Sequence, residues 1–366
     1  MPDLFDPITL GALRLPNRIL MAPLTRGRAT RAGVPTPIMG EYYAQRATSG
    51  LIISEATGIS REGLGWPYAP GLWSEAQVEG WKPVVAAVHA AGGRIVAQLW
   101  HMGRLVHPSV SEMQPVSASA TTGPALAHTY DGKQPLPEAR AVSTDDIARI
   151  IGEYAGAARN AIAAGFDGVQ IHGANGYLID QFLRDATNLR EDAYGGMIAN
   201  RLRFLSDVMQ AVIAETGAAR TAIRLSPNGA VNGCHDSDGM RLFTAVAAEL
   251  EALGVPWIEF REPGPQSSFR ATDEAPVSPE MRKVFSGKIV LNSDYDGASG
   301  QAKLGEGVAD AISFGRPFIA NPDFVERIRT GAGLNAPDVA TFYSQGPQGY
   351  TDYPKLTDAR RIGAWT

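Results

Sequence analysis

The stretch "HGANGYLIDQFL" concentrates the residues best suited to chemistry: His172, Asn175 and Tyr177. A histidine and an asparagine that donate to one oxygen polarise a carbonyl or nitro group. A tyrosine O–H held over a carbon can supply a proton. The same residue types also serve turns and hydrogen-bond networks, so this stretch alone leaves both uses open. Further candidates follow, end or lie within short β-branched runs. They are Thr25 after "RILMAPL", Ala56 in "LIISEATGI", Gln98, Trp100 and His101 in "RIVAQLWH", and Arg224 in "IRLSP". Ser293 and Asp294 follow "GKIVLN", and Gly315 and Arg316 lie in "SFGRPF". Gly-Arg after a strand suits a phosphate, because glycine lets a ligand approach the backbone and arginine clamps an oxygen with two bonds. A solvated loop arginine reads the same way. Arg224, flanked by apolar residues, needs an anionic partner: a structural carboxylate or a bound anion. The amide of Gln98 can both donate to and accept from a pyrimidine-like edge.

Other chemistries lack their residues. No His-Glu-x-x-His or cysteine-rich spacing indicates a metal. No lysine ends a strand, and Lys288 begins one, the wrong end for a Schiff base. There is no G-x-S-x-G elbow. Donors, aromatics and one tyrosine suit a planar cofactor that carries the redox work itself.

The elements that position these residues alternate in type. Strand-like runs at Arg18–Leu24, Leu51–Ile59 and Arg94–His101 are separated by helical stretches. One helix is predicted to open with Thr36 and Pro37 and stop at Gly50, and another to open on Ser74 and run through Pro83. From His107 to about Ala141 the periodicity disappears, which predicts a lid or a hairpin of its own. Beyond Ser143 the alternation resumes, with strands in "FDGVQIHGA", "RTAIRLSP", "PWIEFRE", "GKIVLNSD" and "VADAISFGRPF". Eight such alternations fit a doubly wound sheet or a (β/α)₈ barrel. A dinucleotide-binding sheet would carry G-x-G-x-x-G after its first strand, where this chain reads "MAPLTRGRAT". The barrel is therefore expected, as one domain over residues 1–366, with a lid-like excursion at about 107–141. Barrel chemistry gathers at the C-terminal ends of the strands, where these polar residues fall.

The formal charge of −5 argues against a nucleic-acid partner. The apolar runs, such as Pro83–Ala91, are shorter than the ~20 residues a membrane span needs. The N-terminus "MPDLFDPITL" has no basic region of a signal peptide, and the single Cys234 excludes an internal disulfide. Cytoplasm is the expected location.

The blocks "NRILMAPLTRGRAT", "LIISEATGIS", "QLWHMGR", "HGANGYLIDQFLRDATNLREDAYGG", "RLSP", "FGRPFIANPD" and "GYTDYP" occur in an order that resembles the Old Yellow Enzyme family, from Leu4 to about Pro354. The resemblance implies a barrel with an N-terminal hairpin that binds FMN non-covalently and takes hydride from NADPH or NADH. It implies reduction of activated alkenes: α,β-unsaturated aldehydes, ketones, imides and nitroalkenes. Hydride would pass from flavin N5, and Tyr177 would donate the proton. Pro23, Thr25, Ala56, Gln98 and Arg224 would then meet the flavin ring, and Ser293, Asp294, Gly315 and Arg316 its phosphate. His172 and Asn175 would hold the substrate oxygen, while Trp66, Trp100 and Tyr343 shape the pocket. A monomer or weak homodimer is expected.

Two departures stand out. Asn292–Ser293–Asp294 replaces a frequent glycine, and an aspartate beside a phosphate is unfavourable unless only its backbone N–H faces the ligand. "YGGMIANR" replaces "YGGSIENR" and is expected to touch a helix start, not the chemistry. The rival functions are reduction of nitrate esters or nitroaromatics, a flavin-free barrel isomerase or lyase using Tyr177 and His172, and a flavin store without turnover.

Overall fold

The computed structural model describes residues 1–358. Eight parallel strands form a closed ring in chain order: Ile19–Met21, Leu51–Ile53, Ile95–Trp100, Gly168–Gly173, Thr221–Leu225, Trp257–Arg261, Lys288–Asn292 and Ala311–Phe314. The last pairs with the first, Ile312 opposite Ile19. Helices fill most of the crossovers, as the barrel reading requires. An antiparallel hairpin, Ile8–Leu10 with Leu13–Leu15, precedes the ring.

Alternation along the strands sorts the side chains. Ile95, Ala97, Leu99, Ile223, Ile258, Phe260, Ile289 and Ile312 join the outer core with helix residues such as Val84, Ile150, Phe204, Leu242 and Leu304. Val96, Ala222, Trp257, Val290 and Ala311 instead cluster with Leu10, Leu13 and Leu15 of the hairpin. The hairpin thus stoppers the N-terminal end of the barrel with apolar side chains. The opposite end is left for polar ones.

Several local expectations hold. Ser74 and Ser143 each form a capping box, with Gln77 and Asp146, at the helices Glu75–Ala90 and Thr144–Ala163. The first helix runs through Pro83. The excursion carries an antiparallel hairpin, Leu126–Thr129 with Gly132–Pro135. Helix Ile198–Thr216 opens on Met197, which gives no side-chain cap, so the unusual "GMIAN" wording does fall on a helix start.

Two expectations are corrected. The run Leu51–Ile59 is not one strand: it breaks after Ile53, and Thr57–Gly58 pairs separately with Leu99 and Trp100. Ser54 Oγ accepts the Gln98 N–H at 3.1 Å, so a side chain takes a ladder bond and frees the backbone to leave. The helix Pro37–Ala44 stops well before Gly50. That glycine serves a close approach instead, since a Cβ there would lie 2.2 Å from the Asn17 carbonyl oxygen.

Candidate active site

A polar layer crosses the barrel above its apolar stopper. Gln98 Nε2 donates to Gln170 Oε1 at 2.8 Å, and Gln170 Nε2 donates to Glu259 Oε2 at 2.9 Å. Ser313 Oγ donates to Glu259 Oε1 at 2.5 Å. Arg224 Nη1 stands 2.5 Å from the same oxygen, and its Nη2 donates to Asn292 Oδ1 at 2.7 Å. Arg224 therefore has the structural carboxylate that its burial demands. Nη1 is nonetheless not aligned for a hydrogen bond and has no such partner. Glu259 is fully buried, and the sequence reading missed it. The missed signal is alternation: Trp257, Glu259 and Arg261 share one face of their strand, as Ala222 and Arg224 do of theirs.

Above this layer is a cavity of about 100 Å³ lined by Pro23, Thr25, Ala56, Gln98, Trp100, His172, Asn175, Tyr177 and Arg224. The first strands and their loops, far apart in sequence, thus deliver the expected residues to one place. His172 Nδ1 accepts the Ala174 N–H at 3.3 Å, which assigns the ring proton to Nε2. Burial, and then the charge of Arg224, hold its pKa well below the usual histidine value. It is a neutral donor. Asn175 takes a left-handed backbone, φ 59°. Its N–H donates to Ser226 Oγ at 2.7 Å and its carbonyl accepts from Asn232 at 2.9 Å, so the backbone is held and the side chain is left over. Asparagine tolerates this conformation better than most residues. Tyr177 stands edge-on to His172, centroids 4.8 Å apart, and to Trp100, 5.0 Å apart. Burial pushes its phenol pKa above the ordinary value, which keeps the proton on.

His101 plays another part. It is fully buried, and its Nδ1 accepts the Gly103 N–H at 3.0 Å. Burial drops its pKa to about 3. His101 and His172 are both neutral when folded, so the unfolded chain binds more protons and stability must fall as pH drops. The loss begins near pH ~6.5 and runs at about 1.4 kcal/mol per pH unit for each histidine until its folded pKa is reached. Urea melts at neutral pH and at pH ~5 should differ by about 2 kcal/mol from His101 alone, with His172 acting in the same direction. A flat profile across that window contradicts the assignment. Depressed carboxylates such as Asp146 act in a lower window, because they lose their contribution only below the usual carboxylate range.

The mouth is aromatic. Trp66 stacks on His128 from the excursion's hairpin at 4.3 Å and meets Tyr343 edge-on at 5.0 Å. His128 was missed because a hairpin's reach cannot be read from its own residues. Tyr343 is held from below. Arg26 Nη2 donates to the Gly349 carbonyl at 2.8 Å, and Arg28 donates to the carbonyls of Phe342 at 2.9 Å and Thr341 at 3.0 Å. Tyr42 stacks on Tyr350 at 4.1 Å. The "TRGRAT" and "GYTDYP" wording is thus a buried clasp between the first strand and the C-terminal segment. Arg140, in the excursion, pairs with Asp146 at 2.6 Å.

An adjoining cavity of about 390 Å³ shares Pro23, Asn175 and Arg224 and runs on to Arg261, Ser293, Asp294, Gly315 and Arg316. Its size falls in the usual range for small-molecule sites. The Asp294 carboxylate accepts the N–H and O–H of Ser268, each at 2.7 Å, so it is spent on a neighbouring loop. This removes the objection to an aspartate beside an anion. A larger cavity of about 740 Å³ lies under the loop 263–276, with no barrel-strand donor near Tyr177, so size does not locate the site. Among the described residues no cluster could hold a metal ion.

The donor set fits FMN. Trp100 Nε1, Asn175 Oδ1 and Arg224 Nη1 are buried polar atoms without partners, and all three residues line the small cavity. Unsatisfied groups of this kind are costly, and a planar ligand with a polar edge satisfies them.

Residues 3–335 match the NADH:flavin oxidoreductase / NADH oxidase family. The chain belongs to this family. It is 59% identical to the Old Yellow Enzyme homologue of Zymomonas mobilis, over 97% of this chain and 100% of that one, with a TM-score of 0.96. Morphinone reductase, solved in complex with tetrahydroNAD, is 46% identical over 97% of this chain and 98% of its own, with a TM-score of 0.92. 12-Oxophytodienoate reductase 7 of Oryza sativa subsp. japonica is 42% identical over 96% of this chain and 94% of its own. The protein is an Old Yellow Enzyme-type oxidoreductase with FMN as cofactor and a nicotinamide as hydride donor. No helix among the described residues is long and apolar enough to cross a membrane.

Proposed function

We propose that this enzyme reduces the activated C=C bond of α,β-unsaturated aldehydes, ketones, imides and nitroalkenes. The observation that carries this reading is the convergence of a neutral His172 donor, an unengaged Asn175 side chain and a protonated Tyr177 on one cavity. Pro23, Thr25, Ala56, Gln98 and Arg224 would hold the flavin ring, and Ser293, Asp294, Gly315 and Arg316 the phosphate tail. FMN held by these residues would supply the hydride chemistry, with the nicotinamide as the source of hydride and the alkene's β-carbon as its destination.

The chain's residues do the rest. His172 Nε2–H and the Asn175 amide donate to the substrate oxygen, where negative charge grows as the alkene is reduced. A neutral imidazole donates without giving up its proton. Tyr177 keeps its proton until a carbanion-like α-carbon accepts it, because its raised pKa makes early loss unfavourable. Trp66, Trp100 and Tyr343 exclude water and favour small, flat, apolar substrates. The single cysteine, buried and unpaired, supports a reducing compartment, and we extend the reading to a cytoplasmic monomer or weak homodimer.

Tyr177→Phe tests the proton route. Turnover of weakly activated enones should fall by about 10²-fold or more, with flavin reduction by NAD(P)H nearly unchanged. Stopped-flow absorbance separates the two half-reactions. A variant that loses nicotinamide oxidation instead would remove Tyr177 from the proposed role.

A further inference from the structure

The charges around the 390 Å³ cavity do not close with the residues the sequence singles out. Arg224 is matched by Glu259, 2.5 Å away. Arg316 Nη1 donates to Ser268 Oγ, and that hydroxyl donates to Asp294. With Arg316 and Asp294 alone, the tail end of the cavity is neutral. A phosphate monoester carries about −1.5 to −2 at neutral pH and needs net positive charge.

Arg261 supplies it. It ends the sixth barrel strand, opposite Asn292 in register, and is 6% exposed. Its Nη2 donates to the Phe269 carbonyl at 2.5 Å, and its guanidinium carbon lies 4.9 Å from the centre of the Phe269 ring. Its Nη1 is buried without any partner, in a side chain that lines the same cavity as Gly315 and Arg316. Burial, and then the neighbouring Arg224, lower its pKa to about 10, so it stays charged at neutral pH. Among the described residues no carboxylate pairs with it within salt-bridge distance. A buried guanidinium left one donor short is costly unless an anion completes it.

We propose that Arg261 is a phosphate-binding residue of this enzyme, a second guanidinium that meets the flavin's tail in addition to Arg316. Arg316 opens the short helix after the last strand, whereas Arg261 comes from a strand end and is fixed by Phe269. The proposal rests on FMN as the ligand. It adds a contact that neither the strand-end glycine nor Arg316 provides.

Comparing two flavins that differ only in the phosphate tests it. The full-length chain is stripped of flavin and titrated with FMN and with riboflavin, following flavin fluorescence. Arg261→Met, which keeps the stem packed on Phe269, should weaken FMN by about 10- to 100-fold and leave riboflavin nearly unchanged. Arg261→Lys, which keeps the charge, should bind FMN better than Arg261→Met does. Loss of both flavins in parallel, in either variant, would mean a packing role and overturn the proposal. So would an unchanged preference for FMN over riboflavin in Arg261→Met. If Arg261→Met does not fold, the preference measured in Arg261→Lys decides: reduced supports the proposal, unchanged overturns it. A wild-type chain that binds neither flavin would remove the FMN reading itself, an outcome distinct from failure of Arg261 alone.

Discussion

Replacing His172 and Asn175 together by alanine should lower enone turnover by about 10²–10³-fold and raise KM. The size of the effect follows from how the two donors are held. His172 is locked in one tautomer by the Ala174 N–H, and Asn175 is fixed by Ser226 and Asn232, so neither must reorganise as charge develops. Donors fixed in advance act fully in the transition state, which is where a loss lowers turnover and not only binding. Each single variant should account for much of the loss, because two donors to one oxygen are not additive. Steady-state kinetics with a cyclic enone checks this. Unchanged kcat in the double variant would mean that the substrate oxygen lies elsewhere.

The second large effect concerns stability. Glu259→Ala should cost about 3–5 kcal/mol, a large part of the ~5–15 kcal/mol that a folded domain has. Glu259 is fully buried and serves three groups at once: Arg224, Gln170 and Ser313. Its removal leaves a buried cation and two donors without their acceptor. The cost comes from the stranded charge more than from the lost pair. Arg224→Met combined with Glu259→Leu should therefore recover most of the stability that Glu259→Ala loses, since an apolar pair of similar volume is often neutral. That double variant should still hold FMN poorly, because Arg224 Nη1 is among the unsatisfied donors lining the ring cavity. Urea melts and flavin retention separate the two outcomes. A Glu259→Ala protein within about 1 kcal/mol of wild type would show that water reaches the layer and that Arg224, Gln170 and Ser313 do not depend on Glu259.

Much was determined by sequence alone. Eight strand–helix alternations narrowed the fold to a doubly wound sheet or a barrel, because a strand apolar on both faces must be covered on both, and the lack of a glycine-rich turn after the first strand pointed to the barrel. The residues at the strand ends were legible for the same reason: a polar group after an apolar run has only the barrel mouth to occupy. Thr25, Gln98, His172, Asn175, Tyr177 and Arg224 do share one cavity. Tertiary structure decided which groups stand beside each of them. Glu259 could be seen as a carboxylate in a strand, but its pairing with Arg224 depends on the register of two strands joined by a long crossover. The use of Asp294 to hold Ser268, and the unpaired end of Arg261, depend on where a loop folds back. His128 reaches Trp66 only because the hairpin leans over the mouth. Periodicity is local and survives in the one-dimensional chain. Charge balance and shape complementarity are sums over neighbours in space, and the chain order does not contain them.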